Sequence, residues 1–154
     1  MTIALSPFQI VLAIHVISMM SWVGAMYFNL VLLFPMYRSR GQSEYGELMM
    51  EQGTRAVYLL YLLVVLTLVS GVGLAWLTHA WVRAPFWLAL KGGLWLLMLA
   101  THLVGTLRIW PKVFFALPAE TNQLLFRYRC WMAVSASAGT IAIVLSILRR
   151  GTET

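Results

Sequence analysis

Aspartate is missing from this 154-residue chain, and charge of either sign is scarce. Five acidic residues stand against eleven Lys or Arg, 10% of the sequence in all, beside 61% hydrophobic residues. So little charge excludes both a soluble globular domain and a disordered chain. The one cysteine, Cys130, can close no internal disulfide and lacks the spacing of a covalent haem or zinc motif. Internal repeats, low-complexity tracts, Walker-type loops and dinucleotide glycine fingerprints are all missing. A signal peptide would put basic residues before a short apolar core. Nothing basic precedes Arg38 here and the first apolar run is too long, so the first segment is expected to remain as a helix.

What the chain does have is uninterrupted apolar length. No charged side chain occurs from Met1 to Tyr37, from Ala56 to Val82 or from Cys130 to Leu148, and Lys91 is the sole charge between Ala84 and Leu107. A bilayer core about 30 Å thick needs about 20 apolar residues in helix, so each run is long enough to span. Continuous runs such as Leu62-Leu63-Val64-Val65-Leu66 lack the alternation of a β-barrel. The expectation is an all-α integral membrane four-helix bundle, one transmembrane domain over 1–154, with helices over about 8–36, 56–81, 85–110 and 124–148.

Arg38 to Arg55, with Gly41, Gly46, Gly53 and three Glu, is expected to be a solvated connector with at most an amphipathic turn. Thr78 to Pro85 is expected as a tight hairpin, and Pro118 to open the turn before the fourth helix. Arg38, Arg40, Arg55, Arg108, Lys112, Arg127 and Arg129 fall in the connections on one face, and Arg83, Arg149 and Arg150 on the other. The positive-inside rule then places both termini outside, which in a bacterial inner membrane would be the periplasm. The basic balance is used up by topology and lipid headgroups, leaving no case for nucleic acid. Trp76, Trp81, Trp87, Trp110 and Trp131 fit interfacial belts.

Function in such a chain should sit on polar groups at membrane depth: His15, Asn29, Lys91 and His102, with His79 at a helix end. On a helix turning about 100° per residue, His15, Ser18, Trp22 and Asn29 fall within about 60° of one another. Lys91 and His102 lie within about 20° of a common face, shared by Trp95, Met98 and Gly105. His15 and Lys91 fall at similar depths in the outer half, whereas His102 lies near the inner end of its helix. Ser135, Gly139, Ala142 and Ser146 make a small-residue face suited to close helix packing, while Gly71, Gly73, Gly92 and Gly93 either do the same or leave room for a flat ligand.

A neutral imidazole in an apolar, aromatic bundle is a usual axial ligand of haem iron. An intramembrane Lys costs about 2.5 to 3.5 kcal/mol on insertion scales, and no Asp or Glu lies within a span to pair with it. A ligand's propionates, carbonyl dipoles or water are the remaining partners. The candidates are therefore His15 and Lys91 as catalytic residues, His15, Lys91, His102, Trp22, Ser18 and Met98 around haem b, and His15 and His102 as iron ligands. Nine Met and three His raise copper handling as an alternative, since thioethers suit Cu(I). The Met residues are scattered, however, and read first as core or lipid contacts.

His15 followed by Trp22-Val23-Gly24-Ala25-Met26-Tyr27-Phe28, and Trp87-Leu88-Ala89-Leu90-Lys91 followed by His102, resemble the HemJ and CopD-like membrane proteins over roughly Phe8 to Leu148. HemJ is the membrane protoporphyrinogen IX oxidase of many bacteria, a small helical protein in which a first-helix His and a Lys after a Trp-Leu dipeptide are essential and haem b is bound. The resemblance implies that His15 and Lys91 match its essential His and Lys, and His102 a further His. It implies a haem oxidoreductase passing electrons to quinone or to another redox membrane protein. A non-catalytic haem subunit of a larger respiratory complex, a homo-oligomer and a copper-handling sister family remain open beside it.

Overall fold

The structure, a computed structural model, describes residues 6–33, 35, 42–116 and 118–152. Every regular element among them is helical. α1 spans Pro7–Phe28 and continues as a π-helical stretch over Asn29–Leu33. α2 spans Gln42–Leu77 and α3 is the short Ala80–Arg83. α4 spans Pro85–Leu103 and runs on through a second π-helical stretch, Val104–Ile109, into α5, Trp110–Phe115. α6 spans Pro118–Thr152. Four stretches are long and apolar enough to cross a membrane: Pro7–Leu33, Ala56–Leu77, Pro85–Val113 and Glu120–Arg149. The chain is an all-α, multi-pass membrane bundle.

Local chemistry fixes the helix ends. Ser6 caps α1 in a reciprocal box, its hydroxyl accepting from the Gln9 N–H at 3.3 Å while the Gln9 side chain accepts from the Ser6 N–H at 2.9 Å, with Pro7 opening the first turn. Pro85 opens α4 in the same way.

Several boundaries depart from expectation. Residues 42–55 are helical and belong to α2, in place of the expected connector with at most one turn; Glu, Gln, Leu and Met favour helix, and extending an existing helix avoids the cost of a new nucleus. The earlier part of that connector, with Arg38, Arg40 and Gly41, and the expected end of the first helix at Met36 lie outside the described residues. α2 stops at Leu77, four residues before the expected end, and the hairpin contains a helical turn, α3. Beyond the third span the helix runs past Pro111 to Phe115 as α5, because the Trp110 N–H already reaches back five residues to Gly105 and the wide turn eases the proline's entry. α6 begins at Pro118 itself, well before residue 124, since proline is well suited to the first helical position.

His79 is the described non-glycine residue at positive φ, 52°, in the turn between α2 and α3. A left-handed backbone costs an L side chain about 1 to 2 kcal/mol. Glycine removes that cost but adds freedom to the unfolded chain. His79→Gly is therefore expected to raise stability by about 0.5 kcal/mol in detergent unfolding, and a loss of stability would contradict a purely conformational role for this turn.

α1 packs against α2 and α6, and α4 packs against α6. α2 and α4 are joined by a short connection, yet their backbones make few close approaches. The order around the bundle is thus α2, α1, α6, α4, with the α2/α4 side the least tightly closed. In the fourth span 33% of the most apolar window is buried within the protein, against 22% in each of the others, which makes α6 the central strut. Ala136, Ala138 and Ala142 of α6 meet Met19, Trp22, Val23 and Met26 of α1 and Met98 of α4 in the core. Lipid is as apolar as these side chains, so van der Waals fit and close backbone approach hold the helices together. The end of the bundle where α4 begins adds Arg149 over the Trp87 ring at 6.0 Å.

Candidate functional site

Two polar places lie inside the apolar bundle. The first joins α1 to α2. His15 Nδ1 lies 3.1 Å from the Thr67 carbonyl oxygen and 3.0 Å from Ser70 Oγ. Thr67 donates to Ser18 Oγ at 3.0 Å, and Ser18 donates to the His15 carbonyl at 3.1 Å. Ser18, Thr67 and Ser70 are all buried.

This geometry assigns the His15 tautomer. A carbonyl only accepts, and Ser70 directs its hydroxyl proton at the Leu66 and Thr67 carbonyls, so its Oγ presents a lone pair to the ring. Nδ1 must carry the proton, and in the neutral ring Nε2 keeps its lone pair. An Nδ1–H held by a carbonyl is the usual second contact of a metal-ligating histidine. Lys91 of α4 lies within electrostatic range of this ring.

Gly71 seats the imidazole. A Cβ there would come within 3.1 Å of His15 Cε1, tighter than ordinary contact. Gly71→Val is expected to push the ring off its acceptors and cost about 1 to 3 kcal/mol. The check is the His15 ring nitrogen NMR signature, which should lose its single-tautomer pattern; an unchanged pattern would show that the ring does not depend on this close approach.

The second place is His102, which is 1% exposed with neither ring nitrogen hydrogen-bonded. Its ring meets Trp22 edge-on at 6.0 Å and Tyr61 at 5.9 Å. The Trp22 and Trp95 indole N–H groups are also buried without partners. His102 is the penultimate residue of α4 before the π-helical stretch, and its carbonyl accepts from Thr106 at 2.8 Å. Such wide turns recur at functional sites.

The candidates named from the sequence therefore divide. His15 and Ser18 share the first place, with Lys91 within electrostatic range of the ring. Trp22 belongs with His102, two turns of α1 away from His15, or about 10 Å along the helix. Met98 is fully buried beside Gly139 of α6, and its carbonyl accepts from Ser135 at 3.3 Å, so it acts in packing. Asn29 donates back to the Ala25 carbonyl at 2.9 Å. No group of three or more His, Cys, Asp or Glu side chains gathers among the described residues. Met19, Met26 and Met132 lie in the same core as Met98. Thr67, Ser70 and Tyr61 were not singled out in the sequence. The available signal was Thr67, Ser70 and Gly71 at helical spacing within an otherwise Leu- and Val-rich run.

Comparison with known protein families, with characterised proteins and with solved structures gives no match.

Proposed function

We propose that this chain is a haem b-binding membrane oxidoreductase in which His15 Nε2 is an axial ligand of the iron. The observation that carries this reading is the Nδ1–H of His15 held on the Thr67 carbonyl, which presents the opposite nitrogen as a free base. The remaining groups fit such a cofactor. Gly71 lets the imidazole lie close to α2. Lys91 supplies a cation at membrane depth, within electrostatic range of His15, for a propionate or a substrate carboxylate. The loosely closed α2/α4 side offers a flat ring an approach from lipid.

When bound, haem b supplies a one-electron couple at its iron. The protein's own residues do the rest: Thr67 and Ser70 fix the His15 ring and tautomer, Lys91 attracts carboxylates, and the apolar walls exclude water. In this reading the substrate is a porphyrinogen, protoporphyrinogen IX above all, whose carboxylates suit Lys91. Electrons leave to a quinone or a neighbouring redox membrane protein. The setting is a bacterial inner membrane with both termini periplasmic, from the placement of basic residues. His102, with both nitrogens unpartnered, supports a second polar or ligand contact at a separate level from His15.

A reduced-minus-oxidised absorption spectrum of the purified protein, with pyridine haemochrome analysis, tests the cofactor. A b-type signal at stoichiometric occupancy is expected. Protein supplied with haem during expression and still lacking that signal would overturn the reading. Porphyrinogen turnover, or its absence in haem-loaded protein, then separates an oxidase from a non-catalytic electron carrier.

A further inference from the structure

At the end of the bundle opposite His15, a cleft of about 480 Å³ opens between α5 and the first turns of α6. That volume falls within the roughly 300 to 1,000 Å³ of ordinary ligand sites. Its lining combines two opposite charges, Lys112 and Glu120, with the amide of Gln123 and the apolar walls of Pro111, Phe115 and Leu124. Lys112 and Glu120 share the cleft without forming an ion pair with each other. The third span ends at Val113 and the fourth begins at Glu120, so the cleft sits where the apolar spans meet the headgroup layer. Trp110 and Tyr128, with rings 5.2 Å apart, mark the same level.

We propose that this cleft binds the headgroup of a zwitterionic lipid carrying a primary ammonium beside a phosphodiester. Lys112 takes the phosphate, Glu120 takes the ammonium, and Pro111, Phe115 and Leu124 receive the glycerol and the first acyl carbons. A purely anionic headgroup would meet the Glu120 carboxylate with like charge. A choline headgroup has no N–H to give to that carboxylate. Gln123 offers an amide to whichever headgroup oxygen lies between the two charges. This site is independent of the haem reading, because it uses neither His15, Lys91 nor His102.

Native mass spectrometry of the detergent-purified protein, offered equal amounts of phosphatidylethanolamine, phosphatidylcholine and phosphatidylglycerol with the same acyl chains, tests it. One charge-assisted hydrogen bond is worth about a tenfold preference, so phosphatidylethanolamine adducts are expected to outnumber phosphatidylcholine adducts by about that factor. Lys112→Gln should weaken retention of all three lipids while leaving phosphatidylethanolamine ahead of phosphatidylcholine. Glu120→Gln should transfer the preference to phosphatidylglycerol, because the repelling carboxylate is gone. Both side chains are exposed, so neither variant threatens folding. Equal retention of the three lipids by the unmodified protein, or an unchanged preference in Glu120→Gln, would overturn the proposal. Soluble phosphoethanolamine separates the two sources of this headgroup chemistry. Failure to displace the lipid supports a lipid site, whereas displacement at equal concentration would make the cleft a site for a small zwitterion and overturn the lipid assignment.

Discussion

His15→Ala is expected to reduce the b-type absorbance of the purified protein to background while leaving its helicity intact. The substitution removes Nε2, the nitrogen left with a lone pair once Nδ1–H is committed to the Thr67 carbonyl. What remains behind is tolerable. Ser70 and Thr67 still donate to carbonyls within α2, and Ser18 still donates to the backbone of residue 15, so no buried hydroxyl is orphaned. His102→Ala is the informative partner. Trp22, which touches His102, lies two turns from His15, so this variant should keep the signal if His15 holds the iron. Loss in His102→Ala with retention in His15→Ala would move the ligand to the second place. Loss in neither would remove imidazole ligation altogether.

Gly139→Val is expected to be the most damaging single change to the bundle, at about 3 kcal/mol or more, because its site is closed on two sides by different helices. A Cβ at Gly139 runs into Val23 of α1, and lies 2.9 Å from the Met98 terminal methyl of α4. Val23 is stiff at χ1 and cannot swing aside. Gly105→Ala supplies the contrast. Its Cβ meets the terminal methyl of Met132 at 2.5 Å, but that is the far end of a flexible chain, and a cost below about 1 kcal/mol is expected. Unfolding both variants from detergent micelles with a denaturing surfactant would rank them. Equal losses would mean that α6 is not wedged between α1 and α4 as described.

The four spans were legible because charge-free length is dictated by the bilayer and needs no tertiary information. The small-residue face of α6 was legible for a related reason, since close approach demands small side chains at helical spacing, and Ser135, Gly139 and Ala142 are buried while Ser146, nearer the helix end, is half-buried. Residues 42–55 were misread because glycine and charge mark loops in water-soluble proteins, while here the stretch extends a helix already formed. The polar partners of His15 were harder to see. Thr67 and Ser70 satisfy their own helix carbonyls, a role they play in many spans, and only the packing of α1 on α2 brings the imidazole to them. The division of His15 and His102 between two levels also depends on packing, because periodicity places each residue on a face of its own helix and says nothing of which neighbour that face meets.

The π-helical stretch at Val104–Ile109 makes the third span two helices out of phase. Above it, the phase turns Met98, Thr101 and His102 to the interior; below it, the phase brings Trp110 against Tyr128. A regular α-helix of the same sequence could satisfy one of these alignments and not the other, since one residue of slip is about 100° of rotation. The span therefore carries the equivalent of a single inserted residue. Deleting one position between Val104 and Ile109 would force a choice between the buried imidazole and the Trp110–Tyr128 ring contact.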